Sequence, residues 1–201
     1  MPFTQPKQPN PERFIPLGDG SYRMTLLPSD PDPRLEWAWA RDGERLPMGE
    51  VFNWRYETAL VESTVPRGHE WCIWQWHAND EPALANSNPF LRLIVKDGIG
   101  AISLIHEFSE PYNKAKQTTI TIAPGLTFKP GVMSVWQIEA KIGLDGFVKV
   151  RRDGLLIADY QGPFGFNMEG LPYAKAGIYK WDRNWTGRIV VRVRPSPAPA
   201  P

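Results

Sequence analysis

Three runs of this chain alternate polar and bulky apolar residues in a way that would line up groups able to do chemistry. Side chains at i and i+2 share a face of a β-strand. In Glu70–His77 (EWCIWQWH), that rule puts Cys72, Trp74 and Trp76 on one side and Ile73, Gln75 and His77 on the other. The bulky side is the expected core face, which leaves Gln75 and His77 about 7 Å apart on the accessible face. Residues 52–57 split in the same way, with Phe52, Trp54 and Tyr56 opposed to Asn53, Arg55 and Glu57. In residues 173–179 the set Tyr173, Lys175, Gly177 and Tyr179 opposes Ala174, Ala176 and Ile178. Gly177 opens a gap between Lys175 and Tyr179, where a ligand would come close to the backbone.

If these three strands lie in one sheet, its open face collects an Arg, a Gln, a His, a Lys and a Tyr. That set suits β-elimination of a uronic-acid polysaccharide. Removing the C5 proton is difficult because the neighbouring carboxylate disfavours the carbanion, and Arg, Lys or amide donors relieve this by stabilising the enolate-like intermediate. A His or Tyr can accept the proton, and a Tyr hydroxyl can return one to the leaving O4 oxygen. The chemistry as written calls for no cofactor and no metal. Taken singly, each residue also has an ordinary structural role: His77 as a satisfied histidine, Gln75 as a solvated strand residue, Arg55 and Glu57 as a surface ion pair. His69 and His106 lack comparable polar company and are expected to be structural.

The elements that must position these groups are short strands. Asp-Gly pairs recur at 19–20, 42–43, 97–98, 145–146 and 153–154, each a turn signal. Between them, alternating runs fall at 49–61, 70–77, 91–96, 101–108, 118–122, 134–142, 147–151, 155–160, 174–180 and 188–194. No segment carries a sustained 3.6-residue apolar stripe, so the expected fold is all-β, a two-sheet antiparallel jelly roll of the concanavalin-like sandwich type. A length of 201 residues suits one such domain. The 21 Pro concentrate at the ends, which divides the chain into a Pro-rich N-terminal arm (1–19), a β-domain (20–194) and a Pro-rich tail (195–201). Such arms are extended segments without a core of their own, either loose or docked on a protein partner.

With 23 Lys plus Arg against 22 Asp plus Glu the net charge is +1. No domain-wide basic field exists to grip nucleic acid or an anionic membrane, so an anionic partner must be held by a local patch. No apolar run approaches the ~20 residues of a membrane helix. The single cysteine, Cys72, excludes an intrachain disulfide and a Cys-based zinc site. Met1–Asn10 is polar and does not read as a secretory signal. The expectation is a chain that is cytoplasmic, carried on a virion, or secreted by a non-classical route.

Together the three runs resemble a known family. Gln75-Trp76-His77 is similar to the Gln-x-His motif, Arg55-Tyr56-Glu57 to the Arg-x-Glu strand, and Tyr173-Ala174-Lys175-Ala176-Gly177-Ile178-Tyr179 to the Tyr-Phe-Lys-x-Gly-x-Tyr strand of jelly-roll polysaccharide lyases, the alginate, glucuronan and heparin lyase I-like group. The motifs occur in the family order, and the similarity in pattern runs from about residue 35 to 193. The resemblance implies His77 and Tyr179 as the acid–base pair, Gln75 and Arg55 neutralising the uronate carboxylate, and Lys175 supporting the subsite, with Glu57 and Tyr173 completing the substrate-binding set. Ala174 in place of an aromatic, the lack of a second arginine after Arg55-Tyr56-Glu57, and Lys180-Trp181 after the last motif lean away from the alginate form, towards the glucuronan or heparin type.

Two rival readings use other chemistry. One is a non-catalytic carbohydrate-binding or structural module, of the phage tail or capsid kind, attached through its Pro-rich arms. The other, ranked lower, is a laminarinase-like glycoside hydrolase, which needs two carboxylates facing one bond. The nearest acidic spacing, Glu107 and Glu110, puts them on opposite faces of a strand.

Overall fold

The computed structural model describes residues 11–30, 34–39, 48–78, 87–167, 173–181 and 186–195. The expectations for residues 1–10, for the Asp42-Gly43 turn and for the tail from 196 lie outside these. Fourteen strands follow in chain order: β1 (Phe14–Pro16), β2 (Tyr22–Leu26), β3 (Arg34–Trp39), β4 (Val51–Ser63), β5 (Glu70–His77), β6 (Leu91–Lys96), β7 (Ile99–Glu107), β8 (Thr118–Leu126), β9 (Ser134–Lys141), β10 (Phe147–Arg152), β11 (Leu155–Gln161), β12 (Gly165–Phe166), β13 (Tyr173–Lys180) and β14 (Ile189–Pro195). All ten runs read from the sequence reappear as strands. Of the Asp-Gly turns, Asp97-Gly98 and Asp153-Gly154 place both residues at positive φ, the backbone of the tight hairpin turn that this dipeptide favours.

The strands build two seven-stranded sheets packed face to face, an all-β jelly-roll sandwich. The back sheet runs β1-β2-β14-β4-β9-β10-β11; the front sheet runs β12-β7-β6-β5-β13-β3, with β8 on β7. Between them lies an aromatic core. Trp74 and Trp76 of β5 meet Tyr56 and Phe52 of β4 with ring centroids 5.5 and 5.2 Å apart, and Trp74 also meets Trp136 of β9 at 5.9 Å. The Trp136 Nε1–H donates to Thr58 Oγ1 at 2.9 Å, which satisfies one buried indole. Truncating any one of these rings would cost about 3–5 kcal/mol. The part of the N-terminal arm that is described is packed on the body: β1 pairs with β2, and Phe14 stacks on Tyr22 with centroids 4.8 Å apart.

One organising expectation is overturned. The three chemistry-bearing strands do not share a sheet: β5 and β13 are neighbours in the front sheet, whereas β4 lies in the back sheet between β14 and β9. Phe52 and Tyr56 do point inward, as their alternation predicts, but the outward side of β4 is the opposite surface of the molecule from the outward side of β5. Alternation shows which residues share a face of a strand; it carries no information about which sheet the strand joins.

Candidate active site

The outer face of the front sheet brings together Gln75, His77, Tyr173, Lys175 and Tyr179. Antiparallel pairing of β13 with β5 sets His77 opposite Tyr173, Gln75 opposite Lys175 and Cys72 opposite Tyr179. The His77 and Tyr173 rings stack with centroids 5.9 Å apart, and Lys175 Nζ lies 5.0 Å from the centre of the Tyr173 ring. His77 Nδ1 is 3.1 Å from the carbonyl oxygen of Ala78. A carbonyl can only accept, so Nδ1 carries the proton, which leaves Nε2 as the ring atom that can act as a base.

Gln75 is 1% exposed although it stands on the outer face. Its Nε2 donates to Glu36 Oε1 at 2.6 Å, and Glu36 is itself buried on β3. The carboxylate fixes the amide: turned over, the Gln75 oxygen would meet the carboxylate oxygen. Gln75 Oε1 is left buried with no hydrogen-bond partner among the described residues, an arrangement that costs stability and that a ligand hydroxyl, as a donor, would relieve.

β3 explains what the sequence reading missed. It pairs with β13, setting Arg34 opposite Tyr179 and Glu36 opposite Gly177. Arg34-Leu35-Glu36 has the same Arg-x-Glu spacing as Arg55-Tyr56-Glu57, and it is this copy that borders the Tyr179 strand and reaches Gln75 across it through Glu36. The Arg34 guanidinium carbon lies 5.0 Å from the centre of the Tyr179 ring. The signal was present in the alternation of Leu35, Trp37 and Trp39 with Arg34, Glu36 and Ala38, but the run begins just after a proline cluster.

Two local expectations also change. Cys72 does not face the core with Trp74 and Trp76. β5 bulges at Ile73, so that Trp74 pairs with Leu93 but Cys72 with Ile94; the alternation slips by one, and Cys72 joins Gln75 and His77 on the outer face. The thiol is buried, bonded to the Trp74 carbonyl at 2.8 Å. Burial, reinforced by the nearby Glu36 carboxylate, pushes its pKa up and keeps it an unreactive thiol. Gly177 leaves its gap for β3 rather than for a ligand. At φ 146° a Cβ there would lie 2.2 Å from the Leu35 carbonyl oxygen and 2.7 Å from Glu36 Cα. The residue lets β3 approach closely enough to deliver Glu36 to Gln75.

Arg55 and Glu57 stand on the back sheet and are not brought to this face. Arg55 pairs with Glu57 at 3.5 Å, Glu57 with Arg194 at 2.6 Å, and Arg194 with Asp19 at 2.6 Å. Arg55 also borders a shallow depression of about 120 Å3 with Asn53, Gln137, Glu139, Lys149 and Arg151. Glu107 and Glu110 are committed to loop structure: Glu107 accepts from the backbone of Ser109 and Asn113, and Glu110 from Asn167. Among the described residues no group of three or more His, Cys, Asp or Glu could hold a metal ion.

On the front face, then, a row Lys175–Gln75–Arg92 crosses the sheet in register, with His77 and Tyr173 towards one end and Tyr179 and Arg34 towards the other. Along β5, His77 and Cys72 are five residues apart, one of them in the bulge, so the two ends are separated by roughly 13 Å. A pyranose whose carboxylate met the central row would have the two ends on either side of it.

No family model matches the chain, and no curated protein matches it. Among solved structures it is similar to an endo-β-1,4-glucuronan lyase from the fungus Trichoderma reesei, with a TM-score of 0.68, 14% identity, and coverage of 91% of this chain and 86% of that one. It is also similar to alginate lyase A1-II′ of polysaccharide lyase family 7 (TM-score 0.62, 17% identity, 92% and 81% covered). A third is alginate lyase PA1167 from Pseudomonas aeruginosa (TM-score 0.54, 20% identity, 92% and 86% covered). The chain has the jelly-roll fold of these polysaccharide lyases.

Proposed function

We propose that the protein is a polysaccharide lyase that cleaves a uronic-acid-containing polysaccharide by β-elimination. The observation that carries this reading is the company on one face of the front sheet: Gln75 and His77 from β5 beside Tyr173, Lys175 and Tyr179 from β13, on a fold shared with lyases of glucuronan and alginate.

In the proposed reaction the substrate carboxylate docks at the central row. Gln75, oriented by Glu36, offers its second Nε2 hydrogen, and Lys175 supplies positive charge; both stabilise the enolate-like intermediate as charge moves onto the carboxyl group. His77 Nε2 takes the C5 proton. The electron pair left at C5 forms the C4–C5 double bond, the C4–O4 bond breaks, and the Tyr179 hydroxyl gives its proton to O4. The products are a new chain end on one side and an unsaturated uronate on the other; His77 and Tyr179 then exchange protons with water. The neutralising role expected of Arg55 passes to Arg34, because β3 and not β4 borders β13. Both substrate and partner are thus an anionic polysaccharide, with glucuronan favoured over alginate by the sequence departures noted above.

The test is ultraviolet absorbance of the unsaturated uronate while the protein is incubated with glucuronan, alginate, heparinoids and bacterial capsular polymers. Signal on at least one polyuronate, lost in His77→Ala and Tyr179→Phe with the fold intact, is the expected result. Full activity in both variants would sink the residue assignment. Binding without product across the panel would instead make the chain a carbohydrate-binding module.

A further inference from the structure

Arg92 was not singled out by any motif, yet it holds the centre of the front face. It is the outward residue of β6 in register with Gln75, and on its other side it faces Ser103 of β7. The side chain is half-buried, and its Nε is shut off from solvent with no hydrogen-bond partner among the described residues. Other arginines of this protein have carboxylates: Arg13 has Asp30, Arg188 has Glu62, Arg192 and Arg194 have Asp19. Arg92 makes no ion pair among the described residues. Burial pulls its pKa down, which is to say that the site disfavours the charge it contains. A guanidinium shielded in this way, with only the more distant Glu70 as a counter-charge, is costly, and its planar donor fork suits a carboxylate held through two hydrogen bonds.

Its neighbours point the same way. The Arg92 guanidinium carbon lies 5.4 Å from the centre of the Trp181 ring, and Trp181 meets Tyr179 edge-on at 5.4 Å. Arg92 therefore leans from the Gln75 row towards the Tyr179 end. An anion bound by Gln75 and Arg92 would lie between His77 and Tyr179, where the carboxylate must be if these two are to act on C5 and O4.

We propose that Arg92 is a carboxylate-binding residue of the cleft, holding the uronate carboxylate together with Gln75 at the residue where the chain is cut. The inference rests on the lyase reading for its reaction, but the binding it asserts can be measured without turnover. Because negative charge grows on the carboxyl group as C5 loses its proton, the contact strengthens along the reaction, and its loss falls on kcat at least as heavily as on KM.

The experiment compares wild type, Arg92→Lys, Arg92→Gln and Arg92→Ala on hexasaccharides of glucuronate and of mannuronate, each as the free acid and the methyl ester. The readouts are kcat and KM from product absorbance, affinity by titration calorimetry, and folding by circular dichroism. Expected are a roughly 100-fold loss of kcat/KM in the Ala and Gln variants and about 10-fold in the Lys variant. Affinity for the free acid should fall about tenfold or more in the Ala variant, whereas affinity for the methyl ester should be the same in all four proteins. If the Ala variant does not fold, the Lys and Gln variants decide. Unchanged kcat/KM and affinity in folded variants, on a substrate that wild type cleaves, overturn the role of Arg92 and leave the lyase reading standing. If wild type binds a uronate without cleaving it, a tenfold loss in the variants upholds Arg92 and overturns the elimination. No binding by wild type to either free acid overturns both.

Discussion

The two outer faces of this sandwich are both rich in charge, and they treat it in opposite ways. On the back sheet the charges answer one another: Arg55 to Glu57, Glu57 to Arg194, Arg194 and Arg192 to Asp19, and Asp19 to Ser21. Exposed pairs of this sort are worth little individually, but the network gives each of these charges an opposite one. On the front sheet, Gln75 is buried with one amide atom unsatisfied. Arg92, whose Nε is shielded like those of Arg55, Arg192 and Arg194, differs from them in having no acid within ion-pair distance among the described residues, Glu70 acting on it only from further away. Charge and amide groups placed under cover without partners destabilise a fold unless something outside the chain completes them. That difference, more than the identity of the residues, separates the functional face from the structural one. Both carry an Arg-x-Glu pair, and only the one on β3 borders β13.

The sharpest way to break the comparison is to remove one proton carrier from the front face and one charge from the back. His77→Ala and Tyr179→Phe are expected to lower kcat by about 10³-fold, the scale of a lost general acid or base, while Arg55→Ala leaves the rate of product absorbance within about twofold of wild type. Loss of activity in Arg55→Ala would return the site to β4. The two tyrosines of β13 sharpen the point further. Tyr173 stacks on His77, whereas Tyr179 stands at the far end of the face. Tyr173→Phe keeps the ring and should cost less than about tenfold, chiefly in KM; a larger loss there than in Tyr179→Phe would make Tyr173 the proton donor. Next in size is Glu36→Gln, which releases the Gln75 amide from its fixed orientation. Its expected effect is a loss of about tenfold in kcat/KM with a thermal midpoint near that of wild type.

Strand positions and inward residues were legible because both are local: alternation and Asp-Gly turns are written within a few residues of where they act. The jelly-roll class followed from them, and so did the pairing of Gln75 and His77 on an accessible face. What the chain does not write locally is which strands become neighbours. β4 and β3 each carry Arg-x-Glu, and choosing between them requires knowing that β3 hydrogen-bonds to β13, a contact made across about 140 residues of sequence. Bulges escape the same reading. One extra residue at Ile73 carries Cys72 from the core side to the site side, and no residue type in that run announces it. Arg92 was invisible for a third reason: an arginine on an alternating strand looks like any solvated residue until its missing partners are counted.

Gly177→Ala tests how the front face is assembled. A methyl group there meets the β3 backbone, and the φ of 146° is strained for any residue with a Cβ. The expected loss is about 3 kcal/mol, measured by urea denaturation. Because β3 carries Glu36, activity should fall even where the variant remains folded. A Gly177→Ala protein of unchanged stability would mean that β3 does not lie so close.

The smallest effect belongs to the back face and shows only in acid. Two hydrogen bonds from Ser21, helped by Arg194, hold the Asp19 carboxyl well below the usual carboxylate range. A carboxylate whose pKa is depressed by folding binds fewer protons folded than unfolded. Its contribution is therefore complete above the unfolded value near 3.9 and is lost as the pH falls through the lower folded value. Asp19→Asn removes that contribution at neutral pH. The thermal midpoints of wild type and variant should thus differ by a small constant amount from about pH 7 to pH 5, begin to approach one another below about pH 4, and meet only once the pH has fallen through the folded value. The lyase rate at neutral pH should not change, since Asp19 serves only the back network. A gap that persists undiminished into strong acid would show that the substitution disturbs the turn itself, and that the back face owes its quietness to backbone shape rather than to paired charge.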